Sequence, residues 1–126
     1  MGGSRSFEHV LVWQQAHAWV LGVYTFTSQL PQHELFGLTA QLRRAAVSVP
    51  GNFVEGFKRQ TRLDKLRFYN IAQASLEESR YYLLLAQDLG YGNTTGLRAD
   101  AESVSRLLEA YAGRVREAET RDGTRR

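Results

Sequence analysis

Four stretches of the chain repeat apolar residues in alternating steps of four and three, and that rhythm leaves few folds open. Val12, Ala16, Trp19, Val23, Phe26 and Leu30 form the first stripe; Leu38, Leu42, Ala45, Val49, Asn52 and Gly56 form the second, which weakens at Asn52. Phe68, Ala72, Ser75, Ser79, Tyr82, Ala86 and Leu89 form the third, with Leu66, Tyr69, Leu76 and Leu83 beside it. Leu97, Ala101, Val104, Leu108, Tyr111, Val115 and Ala118 form the fourth. Such spacing puts side chains on one face of an α-helix. No stretch alternates with period two for long enough to suggest a strand.

The punctuation between stripes supports the same reading. Pro31 closes the first stripe, Thr61 with Asp64 three residues later makes a capping-box variant, and "GYGNTTG" at 90–96 supplies a glycine C-cap and polar N-cap candidates. Connections are therefore short, which makes successive helices antiparallel neighbours. The expected fold is all-α: an antiparallel up-down-up-down four-helix bundle, packed left-handed because the steps average about 3.5 residues. One domain spans 1–126, with helices over about 8–30, 36–59, 62–89 and 95–118 and a disordered tail over 119–126.

A chain of 126 residues can bury roughly two-thirds of its unfolded surface in one core. It has no cysteine, so disulfides and thiolate metal sites are excluded and a reducing compartment is expected. The start, "MGGSRSFEHV", lacks a signal-peptide apolar core, and polar residues interrupt every apolar stretch. A cytoplasmic location away from membranes is the expectation.

"SVPGNFVEG" at 48–56 is the one stretch that resists its helix. Pro50 within a helix costs about 3 kcal/mol, and Gly51 and Gly56 about 1 kcal/mol each. Either the helix breaks there and Ser48 caps a new one, or it continues with a kink at Pro50. The unbroken register from Leu38 to Gly56 favours continuation. Gly56 would then allow a close neighbour, and Asn52 would sit polar on an apolar stripe, a device that can fix register or oligomeric state.

Charge is concentrated in one window. Residues 43–67 carry seven basic side chains (Arg43, Arg44, Lys58, Arg59, Arg62, Lys65 and Arg67) against Glu55 and Asp64, whereas the flanking segments are each slightly acidic. The net +3 of the whole chain therefore comes from this window, which marks it as the place for an anionic partner.

No catalytic or metal-binding constellation accompanies it. No glutamate is followed by histidine at the third position, as a di-metal bundle needs, and Trp13 with His17 reads as packing. Neither Ser48 nor Ser75 lies in a G-x-S-x-G elbow. "GYGNTTG" follows a helix and lacks a P-loop lysine. Of Glu77 and Glu78, one is expected to pair with Arg43 or Arg44 across the bundle. Tyr81 and Tyr82 read as core and interface. No enzyme, cofactor or metal is expected.

"FGLTAQLRRAAVSVPGNFVEGFKR" at 36–59, with "LVWQQAHAW", "LPQHE", "FYNIAQASLEES" and "LAQDLGY" around it, resembles the four-helix bundle proteins encoded in intervening sequences of bacterial large-subunit ribosomal RNA genes. The resemblance runs from about Phe7 to Tyr91 and rests on Arg44, Ala45, Ala46, Ser48, Pro50, Asn52, Glu55 and Gly56. Gly51 stands where that family usually has serine, and Phe53 where it has a smaller aliphatic residue. The resemblance implies a continuous, kinked second helix, a homopentameric ring and no enzymatic activity. It also implies kinship with accessory proteins of diversity-generating retroelements, whose basic ring binds nucleic acid and docks a reverse transcriptase.

Function follows as an expectation. Lys58, Arg59, Arg62, Lys65 and Arg67 straddle the second helix-helix corner, roughly 22 Å along the helix from Arg43 and Arg44. Copied around a ring, they would form a basic collar for DNA or RNA, contacting phosphates with little regard to sequence. The alternative expectation is a protein-interaction scaffold, or accessory subunit, that docks a partner such as a reverse transcriptase.

Overall fold

The computed structural model describes residues 6–125, with side chains described as far as residue 118. Four α-helices carry the fold: α1 (Leu11–Thr27), α2 (Leu38–Lys58), α3 (Arg62–Asp88) and α4 (Thr95–Arg125). Short 3-10 turns at Phe7–His9 and Gln32–Glu34 precede α1 and α2. No strand occurs among the described residues. Each helix packs against the two that flank it, α1 on α2 and α4, and α3 on α2 and α4. The expected antiparallel four-helix bundle is what forms.

Helix ends follow from local chemistry. The Thr61 hydroxyl accepts from the Asp64 N–H at 3.1 Å and starts α3, as the capping box predicts. After α3, Gly90 takes φ +84°, and Tyr91 N–H donates to the Ala86 carbonyl at 3.0 Å. A left-handed residue closing a helix in this way satisfies carbonyls that the helix leaves open. The first helix is shorter than expected, because Ser28–Leu30 form a turn before Pro31. The fourth is longer, reaching Arg125 rather than 118. The expected tail at 119–126 carries side chains outside the described residues.

α2 runs unbroken through Pro50, which excludes a new helix start at Ser48. Instead of capping, the Ser48 hydroxyl lies 2.9 Å from that of Ser75 on α3 and accepts from Asn52 Nδ2 at 2.8 Å. Asn52 Nδ2 also meets the Ser48 carbonyl at 2.8 Å. Asn52 is thus half-buried and partnered within its own helix.

Gly56 performs the close packing. A Cβ there would lie 2.7 Å from Tyr69 Cε1 and 3.0 Å from Phe68 Cβ, so the neighbour it admits is an aromatic side chain rather than a second backbone. Gly51, in the same helix, faces open space. The same residue type therefore does different things five residues apart.

The core is continuous along the bundle. Val23, Leu42, Leu76, Leu83 and Val104 are buried in its middle, each such burial contributing about 1.5–3 kcal/mol. Phe53, Tyr69, Leu108 and Ala112 fill the end near the α2–α3 corner, and Leu30, Leu38 and Ala86 fill the other end. On α3 the buried face is Tyr69, Ala72, Leu76, Ser79, Leu83 and Ala86. Phe68, Ser75 and Tyr82 are half-buried at its margin, and Leu89 is exposed. That helix is rotated slightly from the stripe read first, because two adjacent stripes were both apolar.

Candidate functional site

The turn from α2 to α3 contains only Arg59, Gln60 and Thr61, so the last turn of one helix and the first turn of the next share a corner. Lys58 is exposed there, with no hydrogen bond or ion pair described for it. Arg59 reaches Glu55 at 3.2 Å, and its guanidinium carbon lies 4.6 Å from the Phe68 ring centre. Arg67 pairs with Asp64 at 3.4 Å. Both ion pairs are surface contacts, worth little in water.

Lys65 has a different task. Its ammonium donates to the carbonyls of Phe57 at 2.8 Å and Gly56 at 3.4 Å. These are terminal carbonyls of α2, where the helix dipole favours a cation. Burial, followed by the charge of Arg62, lowers the Lys65 pKa from its ordinary 10.5.

The two remaining arginines of the basic window stand apart. Arg43 Nε donates to the Thr27 hydroxyl at 2.7 Å, and the guanidinium lies 4.5 Å from the Tyr24 ring centre. It ties α2 to α1. Arg44 Nη2 bonds Gln41 Oε1 at 2.6 Å and lies 4.0 Å from Glu78 across the bundle, the cross-helix pairing expected for one of the two glutamates. Glu77 instead pairs with Arg80 at 2.9 Å. Of the seven basic residues, Lys58, Arg59, Arg62, Lys65 and Arg67 make the corner, while Arg43 and Arg44 are engaged elsewhere.

α4 adds a cation that sequence reasoning missed. Arg114 lines one groove with Arg62 and Lys65, beside Tyr111, Val115 and Ala118. Its guanidinium carbon is 5.6 Å from the Tyr111 ring centre. In the sequence it sits far from the basic window, and only the packing of α4 on α3 brings it in. Behind it, Tyr69 stacks on Phe53 at 5.3 Å and meets Tyr111 edge to face at 5.6 Å. The Tyr69 hydroxyl is buried without a hydrogen-bond partner, and burial, with Tyr111 adding to it, pushes its pKa above the ordinary 10.

Other candidates resolve as packing. His17 stacks on Trp13 at 4.9 Å, and among the described residues no group of three or more His, Asp or Glu side chains could hold a metal ion. Tyr82 packs against the central core, whereas Tyr81 is exposed. Of the motif residues, Ser48, Asn52 and Gly56 hold α2 together and against α3, Pro50 is buried within α2, and Glu55 is exposed beside Arg59. No described helix is long and apolar enough to cross a membrane.

Comparison with known proteins fits this arrangement. The chain is similar to a crystal structure of a protein of unknown function from the S23 ribosomal protein family of Bacteroides thetaiotaomicron VPI-5482. The match has a TM-score of 0.75 and 21% identity, covering 81% of this chain and 98% of that one. At that identity the likeness speaks to the fold. No curated protein matches. The family model described as 23S rRNA-intervening sequence protein matches residues 8–110, which reaches well into α4 and takes in the whole corner. The chain belongs to the 23S rRNA-intervening sequence protein family.

Proposed function

We propose that the protein is a non-catalytic, oligomeric nucleic-acid-binding protein of the cytoplasm that grips phosphates through the α2–α3 corner. The observation that carries this reading is the crowding of Lys58, Arg59, Arg62, Lys65, Arg67 and Arg114 around one short turn, set against the two acids Glu55 and Asp64. Such a surface suits sequence-tolerant phosphate contacts, since contacts to phosphate position a protein on nucleic acid without reading its sequence. Assembly into a ring, a homopentamer by family resemblance, would repeat the corner as a collar. Exposed Val47 on α2 and exposed Ile71 and Tyr81 on α3 support self-association.

The test is fluorescence anisotropy with DNA and RNA duplexes at several salt concentrations, alongside native mass spectrometry. Affinity should fall steeply with salt, each phosphate contact contributing about 0.9 to the logarithmic slope on duplex DNA. Lys58→Glu/Arg59→Glu/Arg62→Glu should abolish binding at unchanged oligomer mass; Lys65 is left in place because it caps α2. Equal binding by this variant would sink the corner as the site.

A second reading, a scaffold docking a protein such as a reverse transcriptase, draws on the opposite end of the bundle. Phe36 is 92% exposed there, next to exposed Leu35. Capture of one defined protein, lost in Phe36→Ser and retained in the corner variant, would favour it.

A further inference from the structure

Beside the basic corner lies a groove of about 300 Å³ between the first turn of α3 and the later turns of α4. Its lining is divided in chemistry: Tyr111, Val115 and Ala118 are apolar or aromatic, whereas Arg62, Lys65 and Arg114 are cations. No acid lines it. The Lys65 ammonium is held in position by two carbonyls and has a third N–H to offer. Arg114 places its guanidinium near the Tyr111 ring. Burial first, and then Arg62, disfavour the Lys65 cation, and an anion beside it would favour the charged form.

The volume sits at the lower limit of small-ligand clefts, which suits one flat ring with its substituents. We propose that the groove takes one unpaired nucleotide of a single-stranded nucleic acid, its base against Tyr111 and Val115 and its phosphate at Lys65 and Arg114. This rests on the phosphate-binding reading of the corner and narrows it to a ligand class. Aromatic platforms beside a cationic track are how proteins hold single strands without reading sequence. A duplex keeps its bases stacked inward and leaves the apolar floor unused. Lys58 and Arg59 continue the positive charge beyond the groove, which matches a chain of phosphates better than a ligand with one carboxylate.

The experiment compares, by anisotropy on the full-length protein, a labelled oligothymidylate, an abasic strand of equal length and an acidic peptide containing phenylalanine. The thymidylate strand should bind about tenfold tighter than the abasic one, in line with about 1–3 kcal/mol per stacked base. Tyr111→Leu should remove that margin and leave the salt dependence intact. Because Tyr111 also touches Phe53 and Tyr69, Ala118→Leu, which fills the groove from outside that ring cluster, serves as second variant and should narrow the same margin, whereas Arg114→Gln should weaken both strands alike. Equal binding of the two strands overturns the groove proposal while leaving the phosphate-binding corner standing. Binding of the peptide alone overturns both, as does binding of no probe.

Discussion

At its first turn α2 meets the carboxylate of Glu34, and at its last turn it meets the ammonium of Lys65. Both contacts complement the helix dipole, and both side chains come from outside the helix. Glu34 Oε1 accepts from Leu38 N–H at 3.0 Å, while Oε2 accepts from the Tyr91 hydroxyl at 2.9 Å. Its two oxygens are used within the fold, and Leu35 and Phe36 surround it with exposed apolar surface. Lys65, in contrast, is one cation among several. The difference separates a charge that closes a structure from a charge that is part of a surplus. The first kind holds the bundle together; the second leaves it something to bind with.

Four substitutions would break or sharpen this contrast. The largest effect is expected from Gly56→Leu, next to the Lys65 cap, where even a Cβ would meet Tyr69 at 2.7 Å. Overpacking a site so closed should lower stability by about 3 kcal/mol, read from urea unfolding; an unchanged midpoint would show that the α2–α3 spacing is set elsewhere. Lys65→Met keeps the aliphatic stem and removes the donor to the terminal carbonyls. It should cost about 1 kcal/mol, and a stabilised variant would mean that the burial penalty outweighs the cap.

The effect at the other end is smaller and shows itself through pH. The Leu38 N–H first, and then Tyr91, hold the Glu34 pKa below its ordinary 4.5. A lowered folded value means that the unfolded chain binds the proton more readily. The stabilisation is therefore complete above about pH 4.5 and is lost as pH falls through the folded value. Glu34→Gln should flatten the acid limb of thermal midpoint against pH, and an identical limb would assign acid sensitivity to other carboxylates. Last, Lys58→Ser should change stability by less than about 0.5 kcal/mol while weakening nucleic-acid binding. A large stability loss there would place Lys58 with Glu34 rather than with the surplus.

Much of this was legible in the sequence, for reasons that can be named. Helix ends were carried by local chemistry, as at Thr61 with Asp64 and at Gly90, and local chemistry is what a sequence displays. The face of α3 was less legible, since the stripes through Phe68 and Tyr69 satisfy the same spacing and only packing chooses between them. The site behaved likewise. The corner cations were visible as a run, but the engagement of Arg43 by Thr27 and Tyr24, the use of Lys65 as a cap and the arrival of Arg114 from α4 all depend on other helices. Contacts between segments distant in the chain leave no mark in the spacing of either one.

The notch at Gly56 also has a kinetic consequence. Sliding α2 along α3 by one turn, about 5.4 Å, would bring a side chain rather than a bare Cα opposite Tyr69, and it would pull the Ser48 and Ser75 hydroxyls apart from their 2.9 Å contact. Misaligned versions of this hairpin therefore meet a collision and an unpaired hydroxyl at once. With only three residues joining the two helices, correct pairing needs little loop closure. The pair is suited to find its alignment early in folding and to serve as the template on which α1 and α4 dock.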